Sequence, residues 1–225
     1  MEAPTFLGMI LPDIPVYVSY SWLAILFLIF ISLIIRSKLS LIPAGIQNFM
    51  EVIMEFLMGQ AQASIGSKYA RTFIPLLGTL FLYILTCNLF GLIPGFDSPT
   101  GNLNTNAAMA VPVFFLYHFY GFKVHGIRYL EHFLGPIRSI YAIPFMAFMF
   151  IVEWISHIAR PITLSVRLFG NMMSKHLLLG VLGVLTPLLV PTLVLILGTA
   201  VSFIQAYIFM ILTAAYIGGA VEEHH

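Results

Sequence analysis

An all-α polytopic membrane protein is the fold class this sequence predicts, and three observations carry the prediction. Hydrophobic residues fill 60% of the 225 positions and charged residues 8%, with a mean hydropathy of +0.99. A soluble chain of this size has too little charge there to cover its surface. Apolar runs recur at lengths that cross a hydrocarbon layer of about 30 Å. Basic residues gather in alternate connections between those runs, the pattern that sets orientation in a membrane. The expected architecture is five membrane crossings plus one amphipathic helix on the membrane surface, the last two crossings being long and steeply tilted, in a single membrane domain over 1–225.

The first crossing is expected at 16–36, where "VYVSYSWLAILFLIFISLII" runs into Arg36 and Lys38. The N-terminal "MEAPTFLGMI" has no basic leader and is followed by Pro12, so it does not read as a cleaved signal peptide. Residues 43–66 read as an amphipathic helix. Ile46, Phe49, Met50, Ile53 and Leu57 share one face, while Gln47, Asn48, Glu51, Glu55 and Gln62 lie largely on another. Such a helix suits the membrane surface or a seat against partner helices, and an ordinary half-buried helix has the same pattern.

Crossings follow at 73–94, ending in the "GFDSPTGN" loop, and at 104–122, ending before Lys123, His125 and Arg128. After Arg138 come two longer apolar stretches, at 140–184 and 188–220, the second closing in "VEEHH". Arg36/Lys38, Lys68/Arg71 and Lys123/Arg128/Arg138 are assigned to the cytoplasm, and the loop at 95–103 and the turn at 184–191, which lack Lys and Arg, to the outside. Five crossings then place the N-terminus outside and the C-terminus inside. At about 1.5 Å per residue the last two helices outrun the hydrocarbon by a wide margin, so they must lean or bend. Pro161 permits a bend by freeing the carbonyl of His157. Two inclined helices suit wrapping around something curved.

The polar chemistry is concentrated on the first of these helices. Glu153, His157, Arg160, Arg167, Asn171 and Ser174 lie on one face, within about 60° of the direction of Glu153. A charge at the bilayer centre costs about 2.5–3.5 kcal/mol even on lenient scales, so these groups pair, snorkel or line an aqueous cavity. Glu153 and Arg160, two turns apart, read as an ion pair near the cytoplasmic end. Arg167 is deeper and has no acid at i±3 or i±4; no carboxylate occurs between Glu153 and Glu222. Either backbone and amide groups satisfy it or its carboxylate comes from another protein. A guanidinium stays charged, and beside an external carboxyl it favours proton loss from that group. His176 lies on the opposite side of the helix and suits either proton transfer or a structural role. On the last helix Gly198, Ser202, Gln205 and Tyr216 share a face; Gly198 and Ser202 read as a small-residue helix contact, and Gln205 as a hydrogen-bond partner for Arg167.

These segments, "RPITLSVRLFGNM" at 160–172 and "QAYIFMILTAAYI" at 205–217, with "NLFGLIPGF" (88–96), "NLNTNAAMAV" (102–111) and the tail "EEHH", resemble the a subunit of bacterial F-type ATP synthases from about residue 70 onward. The resemblance implies the stator half of a proton motor in the bacterial inner membrane. Arg167 would face the carboxylates of a rotating c-subunit ring and separate two offset half-channels. Asn171 and Gln205 would flank it, and Glu153 would lie near the cytoplasmic half-channel. Asn88, Asn102 and Asn104 would belong to the outer polar inlet, with His157, Ser202 and Tyr216 as further lining. The implied partners are the c-subunit ring, the b-subunit stalk, the F1 ATPase sector and the lipid bilayer, with no cofactor. The chain departs from the family pattern at His176, where many relatives carry a glutamate, at Gly198, where they carry a histidine, and at Gly91, which replaces an acid.

Other classes fare worse. No basic patch supports nucleic-acid binding, the single Cys87 excludes intramolecular disulfides and Cys-based zinc sites, and no Gly-rich Lys–Ser/Thr phosphate loop is present. An intramembrane metal site on Glu153, His157 and His176 would have to bridge about 28 Å of helix. A stand-alone transporter would be expected to show internal repeats; none is evident in the sequence.

Overall fold

The computed structural model describes residues 6–10, 13–37, 39–40, 45–93, 95–134, 143–185 and 189–222. The predicted limits at 43, 94, 140 and 188, and the basic residues Lys38 and Arg138, lie outside them. Among the described residues seven α-helices follow in chain order: α1 (Phe6–Ile10), α2 (Val16–Ser37), α3 (Ile46–Ile65), α4 (Ser67–Phe90), α5 (Leu103–His125), α6 (Ile143–Leu185) and α7 (Leu189–Val221). Short 3₁₀ turns occupy Pro99–Gly101 and Gly126–Leu134. Five stretches among the described residues are long and apolar enough to cross a membrane: Val16–Ser37, Ser67–Phe90, Leu103–Leu130, Phe145–Leu182 and Pro191–Val221. The chain is an all-α polytopic membrane protein.

Sequence chemistry explains the helix limits. Gly66 (φ +83°) breaks α3 from α4, its N–H donating back to the Gln62 carbonyl. That conformation is inexpensive only for glycine. Asn102 caps α5, its side-chain oxygen accepting from the Asn104 N–H at 2.9 Å. α6 runs unbroken through Pro161, so the His157 carbonyl lacks its usual intrahelical donor. At 43 and 33 residues, α6 and α7 reach about 64 Å and 50 Å. The N-terminal apolar run, not foreseen as an element, forms α1. Its Phe6 N–H donates to the Gly95 carbonyl, which also accepts from the Tyr20 hydroxyl at 3.2 Å.

α4 is the most enclosed crossing, half of its apolar stretch being buried. Phe73, Leu77 and Ile84 of α4 share a core with Ala206, Phe209 and Ala214 of α7, Val113 and Tyr117 of α5, and Leu164 and Leu168 of α6. Inside a bilayer apolar burial gives little drive, because lipid is equally apolar, and close contact between small residues takes over. Gly218 is the clearest case: a Cβ there would collide with the Ser64 carbonyl where α3 meets α7.

α3 departs in part from the predicted faces. Leu57, Ala61 and Ile65 turn into the bundle against α4 and α7, but Ile46 and Phe49 are exposed, and Gln47 is buried instead. Gln47 exchanges hydrogen bonds with the backbone of Ser40 and donates to Glu51 at 2.8 Å. Polar pairing rather than hydrophobicity decides which side of that turn faces inward. α6 is the opposite of α4, with only 6% of its apolar stretch buried. Ile155, Ile162, Val166, Met173 and Leu177 leave one long face uncovered.

Candidate functional site

Among the described residues, two cavities with polar side chains in their walls lie along α6 and α7, one toward each end, the smaller walled mostly by apolar atoms. The larger, about 240 Å³, is lined by Glu153, His157 and Arg160 of α6, by Ala215, Tyr216, Gly219 and Ala220 near the end of α7, and by Tyr129 and Phe133. The i,i+4 spacing brings Glu153 and His157 onto one another, with Glu153 Oε1 3.5 Å from His157 Nε2. The other ring nitrogen, Nδ1, lies 3.1 Å from the buried Tyr117 hydroxyl. Acid, imidazole and phenol thus form a continuous line across α6 to α5. The expected Glu153–Arg160 ion pair is not formed: two turns separate them, and His157 stands one turn from the acid. Arg160 instead lies over the rings of Tyr216 at 4.9 Å and Tyr117 at 5.8 Å, a cation–π seat in which an arginine is satisfied without a carboxylate.

The second cavity, about 10 Å³, has about the room of one water. Asn88 of α4, Asn171 and Lys175 of α6, and Ser202 and Gln205 of α7 line it with apolar neighbours. Asn171 Nδ2 donates to Gln205 Oε1 at 2.7 Å, and Lys175 Nζ donates to Ser202 Oγ at 3.1 Å. Asn88 is held from both ends: its Nδ2 donates to the Ser202 carbonyl at 3.4 Å, and its Oδ1 accepts from Thr100 Oγ1 at 2.7 Å. Ser98 lies 2.7 Å from Thr100 and donates to the Cys87 carbonyl. Gly91, where the family pattern expects an acid, has a packing reason: a Cβ there would stand 2.7 Å from that of Ser98.

Arg167 sits on α6 between the two cavities and lines neither. It is half-buried, and among the described residues it has no hydrogen bond and no ion pair. Gln205, expected to serve it, is engaged by Asn171 instead, because Asn171 lines the cavity Gln205 enters and Arg167 does not. His176 is partly buried, with Nε2 enclosed and lacking a hydrogen-bond partner among the described residues. Asn102 is occupied as the α5 cap and Asn104 is exposed, whereas Asn106, two residues on, is fully buried. Asn106 Nδ2 donates to the Thr100 and Ser165 carbonyls.

Lys175, Thr100, Asn106 and Tyr117 are the polar residues that the sequence reading passed over. Lys175 had a signal of its own, since an ionisable residue inside a membrane span is a functional hypothesis by default. The others carried none, being common residues brought inward only by packing. Among the described residues no three His, Cys, Asp or Glu side chains are placed to hold a metal ion.

Fold and site together define a membrane-embedded helical subunit with polar chemistry on both sides of an arginine that has no partner among the described residues. The family model described as ATP synthase A chain matches residues 18–218. The chain is 46% identical over 208 residues to ATP synthase subunit a of Geobacter sulfurreducens, covering 92% of this chain and 88% of that protein. Identity to ATP synthase subunit a of Trichlorobacter lovleyi is 45% with the same coverage. It is 43% to ATP synthase subunit a 2 of Syntrophotalea carbinolica, over 93% of this chain and 87% of that one. The chain therefore belongs to the family of a subunits of the bacterial F-type ATP synthase, membrane components of the Fo sector that serve proton transport and ATP synthesis without catalytic chemistry of their own.

Proposed function

We propose that this chain is the stator of the proton motor and that Arg167 is its coupling residue, facing the carboxylates of a c-subunit ring. The observation that carries the reading is the arginine's position. It is held between two separate cavities that have polar side chains in their walls, on a largely uncovered helix, with no partner among the described residues. A guanidinium in a membrane is costly to leave unpaired, and a carboxylate supplied by the ring offsets that cost.

The cavity at Glu153, His157 and Arg160 is the cytoplasmic half-channel, and the one at Asn88, Asn171, Ser202 and Gln205 belongs to the outer half-channel. A ring carboxyl approaching Arg167 loses its proton because the positive charge favours the ionised form. Once past the arginine it is reloaded from the other half-channel, and the neutral acid makes nearly a full turn through lipid before it returns. The arginine, permanently charged, blocks direct passage between the half-channels. The N-terminus is outside and the C-terminus cytoplasmic, and protons rather than sodium ions are the coupling ion. The lengths of α6 and α7 suit a steep tilt along the ring. The b-subunit stalk holds the chain in place, and F1 joins it through the assembly.

ATP-driven acidification of inverted membrane vesicles, with ATPase activity followed in parallel, tests this. Arg167→Ala is expected to abolish acidification while the ATPase stays membrane-bound. Surviving acidification would make the arginine structural and remove the reading.

A further inference from the structure

His118 of α5 stands behind the wall of the larger cavity, and the coupling scheme above gives it nothing to do. It sits inside the Leu103–Leu130 span, where ionisable residues are costly and mark ion pathways. Its Nδ1 lies 3.0 Å from the Phe114 carbonyl oxygen, one turn back. A carbonyl only accepts, so Nδ1 carries the hydrogen, and in the neutral ring Nε2 is the nitrogen with the lone pair. That Nε2 is enclosed, with no hydrogen-bond partner among the described residues. The fold thus holds an imidazole in one orientation with its basic nitrogen turned inward.

Three residues of the cavity wall pack against it: His157, Tyr129 and Phe133, with ring centres 5.1, 6.1 and 6.4 Å away. The rings of Tyr117 and Phe114 close other sides at 4.3 and 4.4 Å. Gly121 makes room for this arrangement, since a Cβ there would stand 2.6 Å from Tyr129 Cζ. Among the described side chains, the titratable and charged groups around His118 come from four elements. Its own helix supplies Tyr117, with Lys123 and His125 beyond in the last turn, and the 3₁₀ turn supplies Tyr129. From α6 come His157, with Glu153 3.5 Å from its Nε2, and Arg160, lying over the Tyr117 ring. From α7 comes Tyr216, whose ring centre is 6.1 Å from that of Tyr117.

Arg160 already brings one fixed positive charge to this end of the bundle. A proton on His118 adds another, its ring centred 5.1 Å from that of His157. At that separation, away from bulk water, two imidazolium charges repel strongly, and the rings titrate as a coupled pair. When His118 holds the proton, His157 is kept neutral.

We infer that His118 is a proton-binding brake on the cytoplasmic half-channel: a proton taken up there shuts His157 out of proton transfer. The inference rests on the reading of the larger cavity as that half-channel. Uptake forms an N–H bond at Nε2 and breaks an O–H bond of a hydronium ion, and release reverses both. The Nδ1–H stays on the Phe114 carbonyl throughout, and no electrons are transferred. An imidazole changes charge between about pH 5 and 8, so acid on the cytoplasmic side sets the brake and alkali lifts it.

The test uses the assembled ATP synthase in inverted vesicles, whose cytoplasmic face meets the medium. Initial ATP-driven acidification per bound ATPase is measured from a fixed luminal pH while the medium pH is varied. Each variant is expressed as a ratio to wild type, which cancels the pH dependence of F1. His118→Phe and His118→Gln never carry the charge. Their ratio is expected near one at the alkaline end and to climb about threefold or more as the medium is acidified. His118→Arg never loses the charge, so its ratio is expected near one at the acidic end and to fall by a similar factor toward alkaline pH. A flat ratio in the neutral variants overturns the inference, and so does His118→Arg pumping like wild type at alkaline pH. Should no His118 variant assemble, Gly121→Ala decides. It displaces Tyr129 and lets water screen the His118 charge, so its ratio climbs on acidification, and a flat ratio overturns the inference. Arg167→Ala is run alongside. Pumping by that variant removes the stator reading and this inference with it, whereas flat ratios beside an inactive Arg167→Ala overturn this inference alone.

Discussion

The amide nitrogen of Asn171 donates a 2.7 Å hydrogen bond to Oε1 of Gln205, joining α6 to α7 one turn beyond Arg167. Asn171 is exposed while Gln205 is 4% exposed, so the bond leads from the uncovered face of α6 into the bundle. Its consequence is mechanical: the turn of α6 that follows the arginine is tied to the neighbouring helix, which limits where the arginine can swing. Gln205→Leu is expected to remove the acceptor of the Asn171 amide and to reduce coupled pumping while assembly persists. Gln205→Glu, which keeps an acceptor at that position, should retain more. Acidification per bound ATPase distinguishes the two, and equal rates in both variants would mean the tie does not matter for coupling.

Arg160 and Arg167 should separate on mutation. Arg160 is held over two aromatic rings, worth about 0.5–2 kcal/mol. Arg160→Ala should therefore lower the amount of assembled complex and leave pumping per assembled complex largely intact, whereas Arg167→Ala should abolish pumping. Quantifying the a subunit in purified complexes alongside acidification checks this, and a comparable loss of coupled pumping in both would sink the distinction.

The line Glu153–His157–Tyr117 predicts a graded effect on the cytoplasmic side. His157→Leu interrupts it in the middle and should slow ATP-driven pumping more than Tyr117→Phe, which removes only its inner end. Glu153→Gln should fall between them. The order is read from initial rates of acidification; Tyr117→Phe emerging as the slowest of the three would refute the line as a conducting path.

Gly218 predicts a failure of packing rather than of transport chemistry. Any side chain there meets the Ser64 carbonyl, and overpacking of a tight contact costs about 1–3 kcal/mol. Gly218→Val should push α3 off α7 and lower complex yield and thermal stability. Gly219→Val should be mild, since a Cβ at that position meets nothing. Thermal inactivation of the purified complex compares the two.

His176→Ala should slow proton access and alter its pH dependence if the enclosed Nε2 takes part in transfer. An unchanged rate–pH profile would assign His176 to structure alone.

Hydropathy and charge placement determined the class and the five crossings by themselves, because a bilayer accepts only long apolar helices and lets basic residues choose the side. The polar face of α6 was equally legible, since 100° per residue places Glu153, His157 and Arg167 together without reference to anything else. What periodicity on one helix cannot give is the partner on another. Whether Glu153 meets Arg160 or His157, whether Gln205 serves Arg167 or Asn171, and whether Ile46 or Gln47 faces inward were settled by distances across helices and by hydrogen bonds that outbid hydrophobicity. Lys175 makes the same point: the sequence displays the lysine and the glycine at 198 more than twenty residues apart, and only the packing of α6 on α7 lays one across the other. The sequence by itself determined the solvent this chain lives in and the arginine it hides there. Tertiary structure alone decided which polar groups share a cavity, because a buried donor is satisfied by whatever acceptor packing brings within about 3 Å.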